Sequence, residues 1–447
     1  MKTAILGAGV SGLALARTLL EEGVPLTDLT IFEAAEEVGG LMGSKELAGF
    51  TYDVAGGHIL YGRDQETLDW MVTCAGGEQA FASRTRQSRI RFGDSWVRYP
   101  FENGLGDLPP EIGRECLEAY IKAHEARTTG AAASTKGGPP PADFASWIRW
   151  RFGDGIAAHF MDPYNEKIWK RELSELTSDW VADRVPDAPL EDVIKASRGE
   201  ITEGYTHQSV FRYPLRGGFN AISHGIASNL GPALRLSTPV RELRRRGEGW
   251  TVNGEEFDVL ISTLPLTDLP GLLPELPGEV AEAMADLSYN SLVSILVALD
   301  HDQVPDYSWV YLPHAEQGPA NRITYLSNYS PHNAPQGRAS LLCEVNFRGG
   351  PAGPGEPDGG LEEDLLTGLA AAGLLERPRV LFTDRSVVRH AYVIFDHAYR
   401  ARRAAALNWC ESVSLHALGR FGRFEYDNSD ACVKKARDLA RTLAQQG

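Results

Sequence analysis

Ala4-Ile5-Leu6-Gly7-Ala8-Gly9-Val10-Ser11-Gly12-Leu13, with Ile31-Phe32-Glu33 and Gly39-Gly40 behind it, decides the fold of this chain. Lys2 to Leu6 is a short apolar run suited to a buried parallel strand. Gly7-x-Gly9-x-x-Gly12 follows directly and opens a helix that carries Leu13, Leu15, Leu19 and Leu20. Gly7 makes the tight turn, Gly9 lets the backbone approach a pyrophosphate, and Gly12 lets helix and strand pack closely. The helix N-terminus supplies unpaired N–H donors and a partial positive charge for phosphates. Gly23 reads as its C-terminal cap. A second strand, Leu29 to Phe32, ends in Glu33, whose carboxylate can accept both hydroxyls of an adenosine ribose. The acid falls 33 − 7 = 26 residues after the first glycine, where a βαβ unit of roughly 30 residues places it. These features together read as a dinucleotide-binding unit.

Composition bounds the rest. A chain of 447 residues that is 43% hydrophobic can bury a large core and should form two or three domains. Its net charge of −16 argues against non-specific binding to nucleic acid or an anionic membrane. A phosphate-bearing ligand must therefore be held by a local basic cluster. Cys74, Cys116, Cys343, Cys410 and Cys432 form no Cys-x-x-Cys pair, so neither a disulfide framework nor a metal site is indicated. No leader-like segment precedes the first strand, and no apolar run approaches the roughly 18 residues of a membrane span. The expectation is a soluble cytoplasmic protein.

Along the chain, Thr128 to Pro141 and Gly349 to Gly360 are Gly- and Pro-rich and read as surface loops. Helices are expected over Pro110 to Arg127, Phe144 to Phe160, Asp187 to Ala196 and Ala431 to Gln445. Leu234 to Val252 reads as hairpin strands with Val240 and Trp250 buried. Asp258 to Pro265, Leu292 to Leu299 and Leu341 to Phe347 read as further strands. The expected fold class is α/β: a discontinuous Rossmann-like nucleotide-binding domain (1–90, 205–265 and 405–447), a helical insertion (104–200), and an antiparallel-sheet domain (91–103 and 266–404).

Later segments select a flavin dinucleotide over a nicotinamide one. Gly39-Gly40 brings the chain close to a pyrophosphate and flavin. The Asp258 to Pro265 strand resembles the return strand of the glutathione-reductase-type FAD fold. Gly419-Arg420-Phe421-Gly422 resembles that fold's last flavin-contacting segment, and Tyr213-Pro214-Leu215-Arg216-Gly217-Gly218 resembles a mid-chain contact. A more specific resemblance rests on Gly56-Gly57-His58, Trp96-Val97-Arg98-Tyr99-Pro100-Phe101-Glu102-Asn103, Phe160-Met161-Asp162-Pro163-Tyr164-Asn165-Glu166-Lys167-Ile168-Trp169, Asn328-Tyr329-Ser330-Pro331 and Gly419 to Gly422. These look like UDP-galactopyranose mutases, which share a superfamily with amine oxidases and protoporphyrinogen oxidases.

The resemblance implies an FAD-dependent isomerase that interconverts a nucleotide-bound hexopyranose and hexofuranose without net oxidation. Reduced FAD is the implied active form, with N5 as nucleophile at the anomeric carbon. It implies a cofactor-contacting set of Gly7, Gly9, Ser11, Gly12, Glu33, Gly39, Gly40, Leu41, Gly57, His58, Val240, Gly419, Arg420, Tyr426 and Asn428. Arg184 and Arg322 take the places of the family's diphosphate-clamping arginines, suited by a planar fork that binds phosphate oxygens bidentately. His58 would lie beside the flavin as a third catalytic residue. The substrate set is Tyr99, Phe101, Glu102, Phe160, Asn165, Trp169, Arg184, Tyr311, Arg322, Tyr399 and Tyr426, with Tyr99, Phe101, Phe160 and Trp169 as a nucleobase platform, Asn165 as a polar contact to it, and Tyr311, Tyr399 and Tyr426 around the diphosphate and sugar. Glu102 is a departure, since the family has glutamine there. An ionised carboxylate only accepts, which suits the N–H edge of guanine or the amino group of cytosine and puts a uracil nucleotide in doubt. The implied partner is a nucleotide sugar, with no nucleic acid, membrane or metal; assembly stays open, a homodimer included. Two other readings stand beside the mutase: an FAD-dependent oxidase or dehydrogenase of the amine oxidase or protoporphyrinogen oxidase type, and a non-catalytic flavin- or nucleotide-binding protein.

Overall fold

The structure, a computed structural model, describes residues 1–129, 140–181, 188–202, 210–350 and 359–446. At its centre β1 (Thr3–Leu6) is buried along its whole length. It pairs in parallel with β2 (Leu29–Phe32) on one side and β13 (Val259–Ser262) on the other. β9 (Leu234–Arg235) and β19 (Leu415–Ala417) complete a parallel sheet in the order β19-β13-β1-β2-β9. A sheet covered on both faces needs the near-continuous apolar strands that Ala4-Ile5-Leu6 and Leu260-Ile261 supply. α1 (Val10–Glu21) follows β1, ends at Gly23 (φ +93°) and packs against α12 (Ser429–Ala444). A Cβ on Gly12 would meet the Gly7 carbonyl oxygen at 2.1 Å, so only glycine permits this approach of helix to turn.

A second, largely antiparallel sheet runs in the order β18 (Val380–Val393), β14 (Tyr289–Leu299), β17 (Ala339–Arg348), β16 (Arg322–Thr324), β15 (Trp309–Tyr311), β6 (Ser88–Phe92), β7 (Ser95–Arg98). Every residue of β14 is buried. β3 (Ser44–Leu47) and β4 (Phe50–Asp53) form a hairpin that meets this sheet, where Tyr52 donates to Asp384 at 2.6 Å. β5 (Phe81–Thr85) pairs with β8 (Val210–Pro214).

The remaining helices are α2 (Gln65–Cys74), α3 (Pro110–Thr129), α4 (Phe144–Ile156), α5 (Asp162–Trp169), α6 (Leu190–Ser197), α7 (Ala221–Ala227), α8 (Gly278–Ala285), α9 (Leu326–Tyr329), α10 (Leu361–Ala371) and α11 (Tyr399–Ser412). Asp143 caps α4 by accepting from the Ser146 N–H at 2.8 Å. The single helix expected over Phe144 to Phe160 is interrupted. Gly153 sits at φ +76° against the Ala119 carbonyl of α3, and a wider turn at 157–161 leads into α5.

The hairpin expected over Leu234 to Val252 is also corrected. β9 joins the parallel sheet, and only β10 (Leu243–Arg246), β11 (Gly249–Val252) and β12 (Glu255–Phe257) form a meander. Trp250 is buried there, whereas Val240 is only partly buried. Both Gly/Pro-rich stretches, and Asp187, fall largely or wholly outside the described residues. No described helix is long and apolar enough to cross a membrane, and all five cysteines are free.

Candidate active site

A cleft of about 780 Å³ runs from the ends of β1 and β2 to the edge of β18. Gly7, Gly9, Val10, Ser11, Glu33, Gly39, Gly40 and Leu41 line it on the parallel-sheet side. Residues 386–392 of β18 line it from the large sheet, and Gly57, His58, Trp309, Tyr311, Arg322, Gly419, Arg420, Tyr426 and Asn428 line the remainder. Its size falls within the several hundred Å³ typical of small-molecule and cofactor sites.

The donor set fits an anionic dinucleotide. The space where a Gly9 Cβ would point is open, whereas Gly7 (φ +97°), Gly39 (φ +121°) and Gly40 (φ +54°) hold turns that disfavour other residues. α1 and α12 both begin at the cleft with no side-chain cap, so their first N–H groups are left for a ligand. Glu33 is oriented by accepting from the Ala8 and Ala35 N–H groups at 2.7 and 2.9 Å. Arg420 stacks on Tyr426 (4.4 Å to the ring centroid) and Tyr392 (5.5 Å), and its Nε and Nη2 are buried without hydrogen-bond partners. A buried guanidinium left with free donors points to an anion absent from the protein itself.

Two buried carboxylates, both missed by sequence reasoning, organise the Gly56-Gly57-His58 loop. Glu344, on β17, is 1% exposed and binds Arg322 through Nε (2.8 Å) and Nη2 (2.6 Å). It also accepts from the Gly57 N–H at 3.1 Å. Burial works against the Arg322 charge, and the Glu344 carboxylate together with Tyr392, Tyr311 and Tyr164 more than offsets it, raising the guanidinium above its ordinary range. Asp53 accepts from Ser44, Tyr213, the Phe219 N–H and the His58 N–H. Burial raises its pKa to about 6 against the pull of those donors. The His58 imidazole is held down to about 4 by burial, then by Arg322 and Arg420.

The predicted substrate residues divide. Tyr311, Arg322 and Tyr426 line the cleft. Tyr99, Phe101, Glu102, Phe160, Asn165, Trp169 and Tyr399 do not. Three of these join a chain of rings behind the wall: Tyr311 meets Tyr99 at 4.6 Å and Tyr164 at 5.3 Å, Tyr164 stacks on Phe160 at 5.2 Å, and Phe160 on Phe101 at 4.8 Å. Asn165 spends both ends of its amide on Met161 and Trp169, and Tyr399 donates to the Phe424 carbonyl. Glu102 is 4% exposed, so it does not point to solvent. Of the predicted cofactor residues, Gly12 packs beneath the turn and Val240 lies off the cleft wall. The Tyr213 to Gly218 segment also stays off the wall; Tyr213 is buried behind His58, bonded to Asp53. Arg184 lies outside the described residues.

The family of flavin containing amine oxidoreductases matches residues 10–357. The chain belongs to this family of flavin-containing amine oxidoreductases. Its cofactor is FAD. Among solved structures, a reduced UDP-galactopyranose mutase is similar over 100% of this chain and 96% of its own, with a TM-score of 0.88 and 27% identity. A redesigned putrescine oxidase (TM-score 0.64, 17% identity, covering 100% and 99%) and a CLA-producing fatty acid isomerase from P. acnes (0.64, 15%, 99% and 98%) share the fold of this flavin-containing family.

Proposed function

We propose that this flavoprotein is a nucleotide-sugar mutase, interconverting NDP-hexopyranose and NDP-hexofuranose in the manner of a UDP-galactopyranose mutase. The observation that carries the reading is Arg322 in the cleft wall beside Tyr311, with Arg420 and Tyr426 lining the same cleft. A polar cationic wall suits a diphosphate, whereas an amine substrate calls for an apolar channel without fixed cations. The similarity to the reduced mutase supports the same reading.

When bound and reduced, the flavin supplies the nucleophile at N5. The protein's part is grip and orientation. Glu344 takes the Nε and Nη2 donors of Arg322, so Nη1 is left to reach a phosphate oxygen. The Tyr311 and Tyr426 hydroxyls add donors on rigid apolar bodies. Such donors matter most as negative charge grows on the departing diphosphate, where preorganised groups stabilise it without reorganising. Arg184 is proposed as the second clamp.

The family match keeps a flavin oxidase as the second reading. Redox stoichiometry separates the two. A mutase turns over after one priming reduction and needs no further electrons; oxygen uptake proportional to product would replace this reading with the oxidase. Arg322→Ala should abolish interconversion while FAD remains bound.

A further inference from the structure

Asp53 ends β4 fully buried, and its two oxygens are unequally used. Oδ1 accepts from Ser44 Oγ at 2.8 Å, Tyr213 Oη at 3.0 Å and the Phe219 N–H at 3.0 Å, which saturates it. Among the described residues, Oδ2 accepts the His58 N–H, at 3.3 Å, and no other hydrogen bond. One lone pair of Oδ2 is therefore spare, and the His58 Nδ1 lies 3.9 Å from it. That Nδ1 is buried and has no hydrogen-bond partner. The ring stacks on Phe219 with centroids 5.0 Å apart and planes at 15°, so its plane is set from one side. His58 lines the cleft with a quarter of its side chain exposed, and Nδ1 lies on the buried side of the ring.

We propose that Asp53 is the positioning residue of His58. A small tilt of the ring brings Nδ1–H onto Oδ2, which fixes the neutral imidazole in its Nδ1–H form and presents Nε2 to the cleft as an acceptor. The partner of one ring nitrogen decides which nitrogen carries the proton. The surrounding charges agree. Burial, then Arg322 and Arg420, oppose a second proton on the ring and outweigh the Gly56 backbone, which favours it, and Tyr213 and Tyr329, which face Asp53, are held protonated by burial. At pH 8 the pair is thus a carboxylate and a neutral imidazole. The tautomer does not depend on the mutase reading. Its consequence does: Nε2 then accepts from a hydroxyl of the bound sugar.

The test is the ¹⁵N spectrum of histidine-labelled, FAD-loaded protein at pH 8, with the His58 signals assigned by their loss in His58→Gln. Expected are a protonated Nδ1 and a pyridine-type Nε2. Asp53→Asn, which can turn an amide N–H₂ toward Nδ1, should move the proton to Nε2. An Nε2–H tautomer in the native protein, or a tautomer unmoved by Asp53→Asn, overturns the proposal. Should Asp53→Asn fail to fold, the native spectrum decides alone. With nucleotide sugar, Asp53→Asn should lower kcat on the order of 10–100-fold, the range lost when a histidine's orienting partner is removed, at unchanged KM and FAD content. An Nδ1–H tautomer in a protein without mutase turnover keeps the assignment and removes the functional reading.

Discussion

Gly9 and Gly12 look alike in sequence, yet their surroundings make opposite predictions for replacement by alanine. Gly9 has φ −69° and ψ 172°, a conformation any residue adopts, and a Cβ there meets nothing within 4 Å. Gly9→Ala should therefore leave the FAD-free protein as stable as the parent, or about 0.4–1 kcal/mol more stable through a less flexible unfolded chain. Its methyl, however, enters the cleft where the pyrophosphate must touch the backbone. Displacing one charge-assisted hydrogen bond there costs about 1.5–3 kcal/mol, or roughly 10- to 150-fold in Kd. Gly12→Ala behaves in reverse. Its Cβ would sit 2.1 Å from the Gly7 carbonyl oxygen and 3.3 Å from Ile5 Cγ2, so backbone must move. A loss of about 1–3 kcal/mol or more is expected before any ligand is added. Flavin fluorescence quenching on titration into FAD-free protein, beside denaturant unfolding of that same protein, measures both effects. A Gly9→Ala protein that binds FAD with the parent's affinity would refute the cradle argument.

Glu344→Ala should cost on the order of 3–5 kcal/mol, because it leaves the Arg322 charge mostly buried without its partner; denaturant midpoints check this, and a change below about 1 kcal/mol counts against it. Glu102 is buried off the cleft wall, so in calorimetry Glu102→Gln should leave the ranking of UDP, GDP and CDP as in the parent; a shift toward UDP in the variant would show that the carboxylate reads the base after all. For pH dependence, His58 and His390 are held by burial to about 4 and about 3 when folded, against 6.5 free. Between pH 6.5 and 4 the unfolded chain therefore binds two protons that the native state refuses, while Asp53, raised by burial to about 6, binds one more when native. The balance lies with the unfolded state, so the Tm of FAD-free protein should fall as pH drops through that window. His390→Asn should flatten the slope, and an unaltered slope would contradict the assignment.

The parallel-sheet half of the cleft was legible because its signals are local. A strand, three glycines, a helix and an acid within 33 residues carry their own geometry, and Gly7, Gly9, Glu33, Gly39 and Gly40 all line the cleft. The other half was not. Residues 386–391 reach the site only because β18 pairs with β14, a strand about ninety residues earlier. The two organising carboxylates left a faint trace: Asp53 closes the strand Phe50-Thr-Tyr-Asp53, and Glu344 interrupts the apolar strand Leu341-Leu-Cys-Glu344-Val. A charge at such a position must be paired in the fold, and its partner marks a site. Family likeness named a set of aromatics but could not say which ring faces the cleft. Tyr311 does, whereas Phe101 and Phe160 stack on each other instead.

The order of the parallel sheet bears on how the protein is made. β1 leaves the ribosome long before its neighbour β13, which follows some 250 residues later, and β19 comes some 150 residues after that. The cleft also needs Gly419, Arg420 and the start of α12. Contacts of such sequence separation form late and leave edges unpaired meanwhile. A nascent chain stalled before residue 415 should therefore hold an incomplete cradle, with Gly7 and Gly9 made long before the β19 and α12 segments that complete it, so flavin loading should begin only once those segments have been synthesised.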